Sequence, residues 1–138
     1  MNTPEPSNSD ATPAIIFDLK LLTRFSAQGP QATILADTGA AQIVLLAMHA
    51  GQAMRDVQTG SQLVAQCLRG RATLHIGATT QALRAGLVAL IEADMHHTFV
   101  ASTDCVLLLT LTPSPEHQQP AHSILADLPP LVRRAPAE

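Results

Sequence analysis

The chain has 138 residues and a net charge of −3, a length that suits one domain with a hydrophobic core. Hydrophobic residues make up 46% but aromatics only 2%, with no Trp and no Tyr, so the core must be built from Leu, Val, Ile and Ala. Lys20 is the sole lysine, and neither a basic run nor an aromatic stacking platform is present, which argues against nucleic-acid binding.

Residues 1–13 are rich in Pro, Ser, Asn and Thr and are expected to be disordered. They lack the basic and apolar regions of a signal peptide. No apolar run reaches membrane-spanning length, "CVLLLTL" being far too short. The expectation is a soluble, cytoplasmic protein without membrane contact. The next segment, "AIIFDLKLLTRF", is ambiguous. Ile15, Leu19 and Leu22 have helical spacing, whereas Phe17, Leu19 and Leu21 alternate as in a strand. It reads as an N-terminal arm that packs on the body.

From Ala32 short apolar segments follow one another, separated by turn residues. They run "ATILA", "AQIVLLAMH", "AGQAM", "QLVAQCL", "RATLHI", "QALRA", "GLVALI", "TFVA" and "CVLLLTLT", with Gly, Asp, Ser or Thr at most breaks. None has the length and 3.6-residue period of a helix. The pattern predicts an all-β sandwich or barrel. After Thr112 the chain becomes Pro-rich, with one apolar cluster at Ile124, Leu125 and Leu128. A docking helical turn and a disordered tail both fit that segment. The expected organisation is a disordered start over 1–13, a barrel with its arm over 14–112, and a Pro-rich tail over 113–138.

The stretch from Gly51 to Leu111 resembles a cupin, the small jelly-roll barrel. The first cupin motif runs Gly, five residues, His, one residue, His, three or four residues, Glu, six residues, Gly. Gly51 opens it and Gly70 closes it inside "GQAMRDVQTGSQLVAQCLRG", without gaps. The second motif opens at Gly86, and its histidine position falls on His97. Residues 71–85 lie between the motifs, a short separation like that of small single-domain bacterial cupins. The resemblance implies a jelly-roll β-barrel, and a homodimer formed through sheet edges and N-terminal arms.

The resemblance also implies where a metal would sit, and there the chain departs from the family. The two histidines and the glutamate of the first motif fall on Val57, Thr59 and Leu63. A divalent transition metal needs three or four N, O or S donors converging on one point, and only His97 remains. The second motif is worn as well, with Glu92 at its proline position, Asp94 at its glycine position and Ala101 at its asparagine position. Asp56, Gln58 and His96 are each one residue out of register, which in extended chain turns them to the opposite face. The adjacent pair His96 and His97 is therefore split, one ring inward and one outward. A degenerate metal site, with no metal and no cofactor, is the expectation.

The same register places Val57, Thr59, Leu63, His97 and Phe99 on the barrel interior. That is an apolar pocket with one imidazole and one hydroxyl, suited to an uncharged or weakly acidic organic ligand. His49 and His75, in or at the ends of strands, read as hydrogen-bonded structural residues. Cys67 and Cys105 lie in apolar segments and read as buried, reduced thiols. No Ser-His-Asp or Cys-His signature is recognisable. The function read from the sequence is metal-independent binding of a small organic molecule, more a binder than an enzyme. Two alternatives stay open: a metal-dependent oxygenase or isomerase, and a structural or interaction barrel whose pocket is filled core.

Overall fold

Alternation of side chains forms most of the strands. In "QLVAQCLR", Leu63, Ala65 and Cys67 are buried while their neighbours face outward or lie half-buried. The computed structural model describes residues 14–115. The expectations for residues 1–13, and for the cluster at Ile124, Leu125 and Leu128, fall outside them.

Nine strands occur among the described residues: β1 (Gln31–Asp37), β2 (Gln42–Met48), β3 (Ala53–Val57), β4 (Gln62–Arg69), β5 (Arg71–Ile76), β6 (Thr79–Arg84), β7 (Val88–Ile91), β8 (His97–Ala101) and β9 (Cys105–Thr112). They form a five-stranded sheet in the order β1-β2-β9-β4-β7 and a four-stranded sheet in the order β3-β8-β5-β6. Every pairing is antiparallel. The chain crosses repeatedly between the sheets, so the core lies between two facing layers. This is the small cupin-type barrel that the motifs implied.

The core is aliphatic, as the composition required. Leu46, Leu63, Leu107, Leu109, Leu111, Val44 and Val57 are all buried in one cluster with Phe99. Each such side chain stabilises the fold by about 1.5–3 kcal/mol relative to exposure. A second cluster covers the outer face of the five-stranded sheet. There Phe17, Leu19, Leu22 and Phe25 of the arm pack on Leu35, Leu45, Ala47 and Val106. The ambiguous arm resolves into a single helical turn, α1 (Leu19–Leu22). Asp18 caps it by accepting hydrogen bonds from the backbone N–H groups of Lys20 and Leu21, at 3.1 and 3.4 Å.

The framework glycines Gly51, Gly70 and Gly86 have φ of +89°, +76° and +95°. Gly70 is the most constrained, because a Cβ there would stand 1.9 Å from the carbonyl oxygen of Asp104. The β4–β5 turn passes so close to the β8–β9 turn that only a hydrogen fits.

The pairings gather one end of the barrel. Gln42 pairs with Leu111, Leu111 with Leu63, and Leu63 with Ile91, forming one row across the five-stranded sheet. Val57, the last residue of β3, pairs with His97, the first residue of β8. Only residues 58–61 separate Val57 from β4, and residues 92–96 separate Ile91 from His97. All these positions therefore surround one mouth.

Candidate functional site

His97 projects into the barrel and is 2% exposed. Its Nδ1 lies 3.0 Å from the carbonyl oxygen of Met95. A carbonyl oxygen can only accept, so Nδ1 carries the hydrogen and donates. Nε2 is then a bare lone pair. It is buried and has no hydrogen-bond partner among the described residues. Burial pushes the imidazole pKa below its ordinary value, with the neighbouring His96 acting the same way and the Met95 bond opposing. The ring is thus neutral at neutral pH, with its acceptor facing inward. The ring makes a T-shaped contact with Phe99 at 5.5 Å between centroids.

His96 turns the other way, to solvent. Its Nδ1 stands 3.1 Å from Asp56 Oδ1, with both side chains largely exposed. The adjacent histidines thus lie on opposite faces, as a strand period of two requires.

Val57 is completely buried, by a route that simple alternation does not give. Met54 pairs with Phe99 and Val57 with His97, so β3 carries one residue more than β8 between these points. The extra residue makes a bulge in which Asp56 adopts φ +53° and its N–H donates to Thr98 Oγ1 at 2.8 Å. Leu63 and Phe99 are completely buried. Thr59 is buried too, but its hydroxyl oxygen accepts the Ser61 N–H at 3.2 Å, and so serves the β3–β4 connection. The carbonyl of Thr59 accepts the N–H of Asp94 at 2.8 Å, which ties this connection to the β7–β8 loop.

One residue in this region was missed in the sequence. Gln42 opens β2 and is fully buried. Val44, Leu46 and Met48 face inward, so the parity of the strand carries Gln42 inward as well. Its Nε2 donates to Asp37 Oδ2 at 3.3 Å. A carboxylate only accepts, which fixes the amide orientation and leaves the Oε1 carbonyl without a partner among the described residues. Asp37 is held in turn by the Gly39 N–H and the Ser114 hydroxyl, at 3.0 and 2.8 Å.

The cupin resemblance implies a metal at this end of the barrel. A lone pair on His97 Nε2, with Nδ1–H bound to a carbonyl, is the form a metal-binding histidine takes. The positions around it do not continue the site. Val57 and Leu63 have no donor atom, and no group of three or more His, Cys, Asp or Glu side chains that could hold a metal occurs among the described residues. The donor set among the described residues does not fit a cupin metal.

A cavity of about 350 Å³ opens between the edge strands β6 and β7, lined in part by Leu74, Ile76, Gln81, Leu83 and Leu87. Leu74 is the cross-strand neighbour of Phe99, but neither Phe99 nor His97 lines this opening. A wider cleft, about 580 Å³, lies outside the barrel between α1 and the five-stranded sheet.

The family model described as an AraC-like ligand binding domain matches residues 39–136. No curated protein matches the sequence. Among solved structures, the protein TT1209 from Thermus thermophilus is 26% identical, with 71% of this chain and 96% of that chain covered and a TM-score of 0.66. An RmlC-like cupin protein from Desulfovibrio desulfuricans is 21% identical, covering 72% and 97% of the two chains at a TM-score of 0.68. An uncharacterized conserved protein with a double-stranded β-helix domain from Klebsiella pneumoniae is also 21% identical, covering 72% and 90% at a TM-score of 0.67.

Proposed function

We propose that this chain, which belongs to the AraC-like ligand-binding domain family, binds a small organic molecule inside its barrel without a metal. The observation that carries the reading is the inward lone pair of His97. An unmatched buried acceptor costs about 1–3 kcal/mol. A ligand that donates to Nε2 recovers that cost, and the apolar walls around Phe99, Leu63 and Val57 hold its body.

A fragment screen by protein-observed NMR tests it, with His97→Phe as the control. Compounds that shift the methyl signals of Leu63 and Ile91 in the parent, and that bind the variant more weakly when they carry a hydrogen-bond donor, are the expected result. Stoichiometric Fe, Mn, Ni or Zn in protein purified without a histidine tag, lost in His97→Ala, would reverse the choice in favour of a metal-dependent oxygenase or isomerase. The rival of a solid structural barrel draws on the complete burial of Val57, Leu63 and Phe99. It predicts no interior shifts with any compound.

The same reading includes a cytoplasmic homodimer. The arm leaves Ile15, Ile16 and Leu21 exposed, and edge strand β7 leaves Val88 and Leu90 exposed. Apolar surface on an arm and a sheet edge is what pairing across a two-fold axis covers. Light scattering should give twice the mass of one chain, and a monomer at working concentration removes this part.

A further inference from the structure

We infer that Gln42 and His97 form a two-point acceptor clamp across the barrel mouth, selecting an uncharged ligand that carries two hydrogen-bond donors on an apolar body. This rests on the proposal that the barrel binds a small molecule. Its grounds are separate: the atoms Gln42 Oε1 and His97 Nε2 are the buried side-chain polar atoms without a protein partner among the described residues.

Both belong to the same end of the fold. Gln42 shares its inward row with Leu111, Leu63 and Ile91 on the five-stranded sheet. His97 starts β8 on the four-stranded sheet, paired with Val57 at the other side of the four-residue connection to β4. The acceptors therefore come from opposite walls, which in packed sheets stand about 10 Å apart. Leu111, Leu63 and Ile91 continue the row from Gln42, and Val57 stands beside His97.

Both are acceptors, and each assignment is forced by its partner. The Gln42 NH₂ is committed to the Asp37 carboxylate, and the His97 Nδ1–H to the Met95 carbonyl. Neither group can turn over without facing acceptor to acceptor. A carboxylate or phosphate ligand would bring lone pairs against lone pairs. The charged side chain joined to the clamp is Asp37, which also disfavours an anion. A hydroxyl or N–H at each end of a small apolar skeleton meets both atoms. The Thr59 hydroxyl is engaged with Ser61 and is not part of the clamp.

The test uses matched pairs of uncharged fragments: compounds with two hydroxyl or N–H donors, and the same compounds with one donor methylated. Binding is read by NMR shifts of the Leu63, Leu111 and Ile91 methyls. Two-donor fragments should bind about tenfold more tightly than their methylated partners, the value of one hydrogen bond to a desolvated acceptor. Gln42→Met and His97→Phe should each erase that difference while keeping binding of the apolar skeleton. Should one variant fail to fold, the other carries the test. Equal binding of both members of every pair, with interior shifts intact, overturns the clamp and leaves the barrel-binding proposal standing. Absence of interior shifts with every fragment sinks both. A ¹⁵N spectrum of the free protein checks the premise: His97 should show a protonated Nδ1 and a bare Nε2, and the opposite tautomer overturns the clamp.

Discussion

Val57 and His97 stand opposite each other on β3 and β8, and Val57 reaches the interior only because its strand bulges at Asp56. Strict alternation from the inward Met54 would send Asp56 inside and Val57 outside. The left-handed residue reverses the parity in one step. A carboxylate is kept out of the apolar barrel, and a valine faces the histidine instead.

The bulge predicts an order of stability. Asp56→Ala should cost about 1–2 kcal/mol, because a side chain without local hydrogen bonding carries the full penalty of the left-handed region. Asp56→Asn should stay within about 0.5 kcal/mol, since the contact with His96 is exposed and contributes little. Asp56→Gly should be more stable than Asp56→Ala, glycine having no Cβ to strain. Urea denaturation measures all three, and equal values for Ala and Gly would show an unstrained bulge.

Gly70→Ala should be among the most damaging single substitutions in the barrel. It combines a φ of +76° with a Cβ at 1.9 Å from the Asp104 backbone oxygen, and backbone cannot move aside as a side-chain tip can. A loss on the order of 3 kcal/mol or more is expected. Gly51 also has a left-handed φ but nothing within 4 Å of its Cβ position, so Gly51→Ala should cost only the backbone penalty of about 1–2 kcal/mol. Chemical denaturation of the two variants side by side separates collision from conformation.

His97 gives the fold a pH dependence with a definite sign. Burial holds its folded pKa below the ordinary value of 6.5. Between the folded and unfolded values the unfolded chain binds more protons, so stability falls as pH drops below 6.5 and levels off beneath the folded pKa. Well above 6.5 the residue adds no slope. His97→Phe should lack this component. The stability difference between parent and variant should be nearly constant from about pH 7.5 upward and shift in favour of the variant as pH is lowered toward about 5. A difference that stays flat across the whole range would contradict the buried neutral ring.

The cysteines should be inert in the native protein. Burial raises the pKa of Cys67, and it pushes that of Cys105 up to about 11, helped by the nearness of Cys67 and Asp104. At neutral pH the reactive thiolate of Cys105 is on the order of one molecule in ten thousand. Neither thiol should react with Ellman's reagent until the chain unfolds, and both should then react together. Rapid labelling of either under native conditions would mean that the β4–β5 and β8–β9 ends open locally.

The barrel was legible in the sequence because its signals are local. Gly51, Gly70 and Gly86 mark left-handed turns, and strand parity marks the inner wall. Asp94 fits the same logic, since it stands at a motif glycine position and adopts φ +68°, a conformation aspartate tolerates better than most residues. Thr59, Leu63 and His97 were placed inside by their motif positions, and Phe99 by alternation with His97. Val57 was placed inside by motif position, but the bulge that puts it there depends on cross-strand partners which no local pattern reveals. Gln42 went unnoticed because it precedes a long apolar run and looks like a strand boundary. Counting back by twos from Met48 would have found it. Its lone acceptor became visible only once Asp37 had claimed the amide. In "AIIFDLKLLTRF" helical and strand periods compete, and Asp18 settles the matter by capping one turn.

The connections around the mouth are fastened to one another. Asp94 N–H donates to the Thr59 carbonyl at 2.8 Å, Gln58 Nε2 donates to the Asp94 carbonyl at 2.9 Å, and Ser114 N–H donates to the Gly39 carbonyl at 3.0 Å. A molecule seated beside His97 would arrive and depart at the pace at which such fastenings break, not at the pace of diffusion. At high concentration its uptake would become independent of how much is present. Occupancy would then lag behind supply, and the barrel would keep a short record of its recent surroundings.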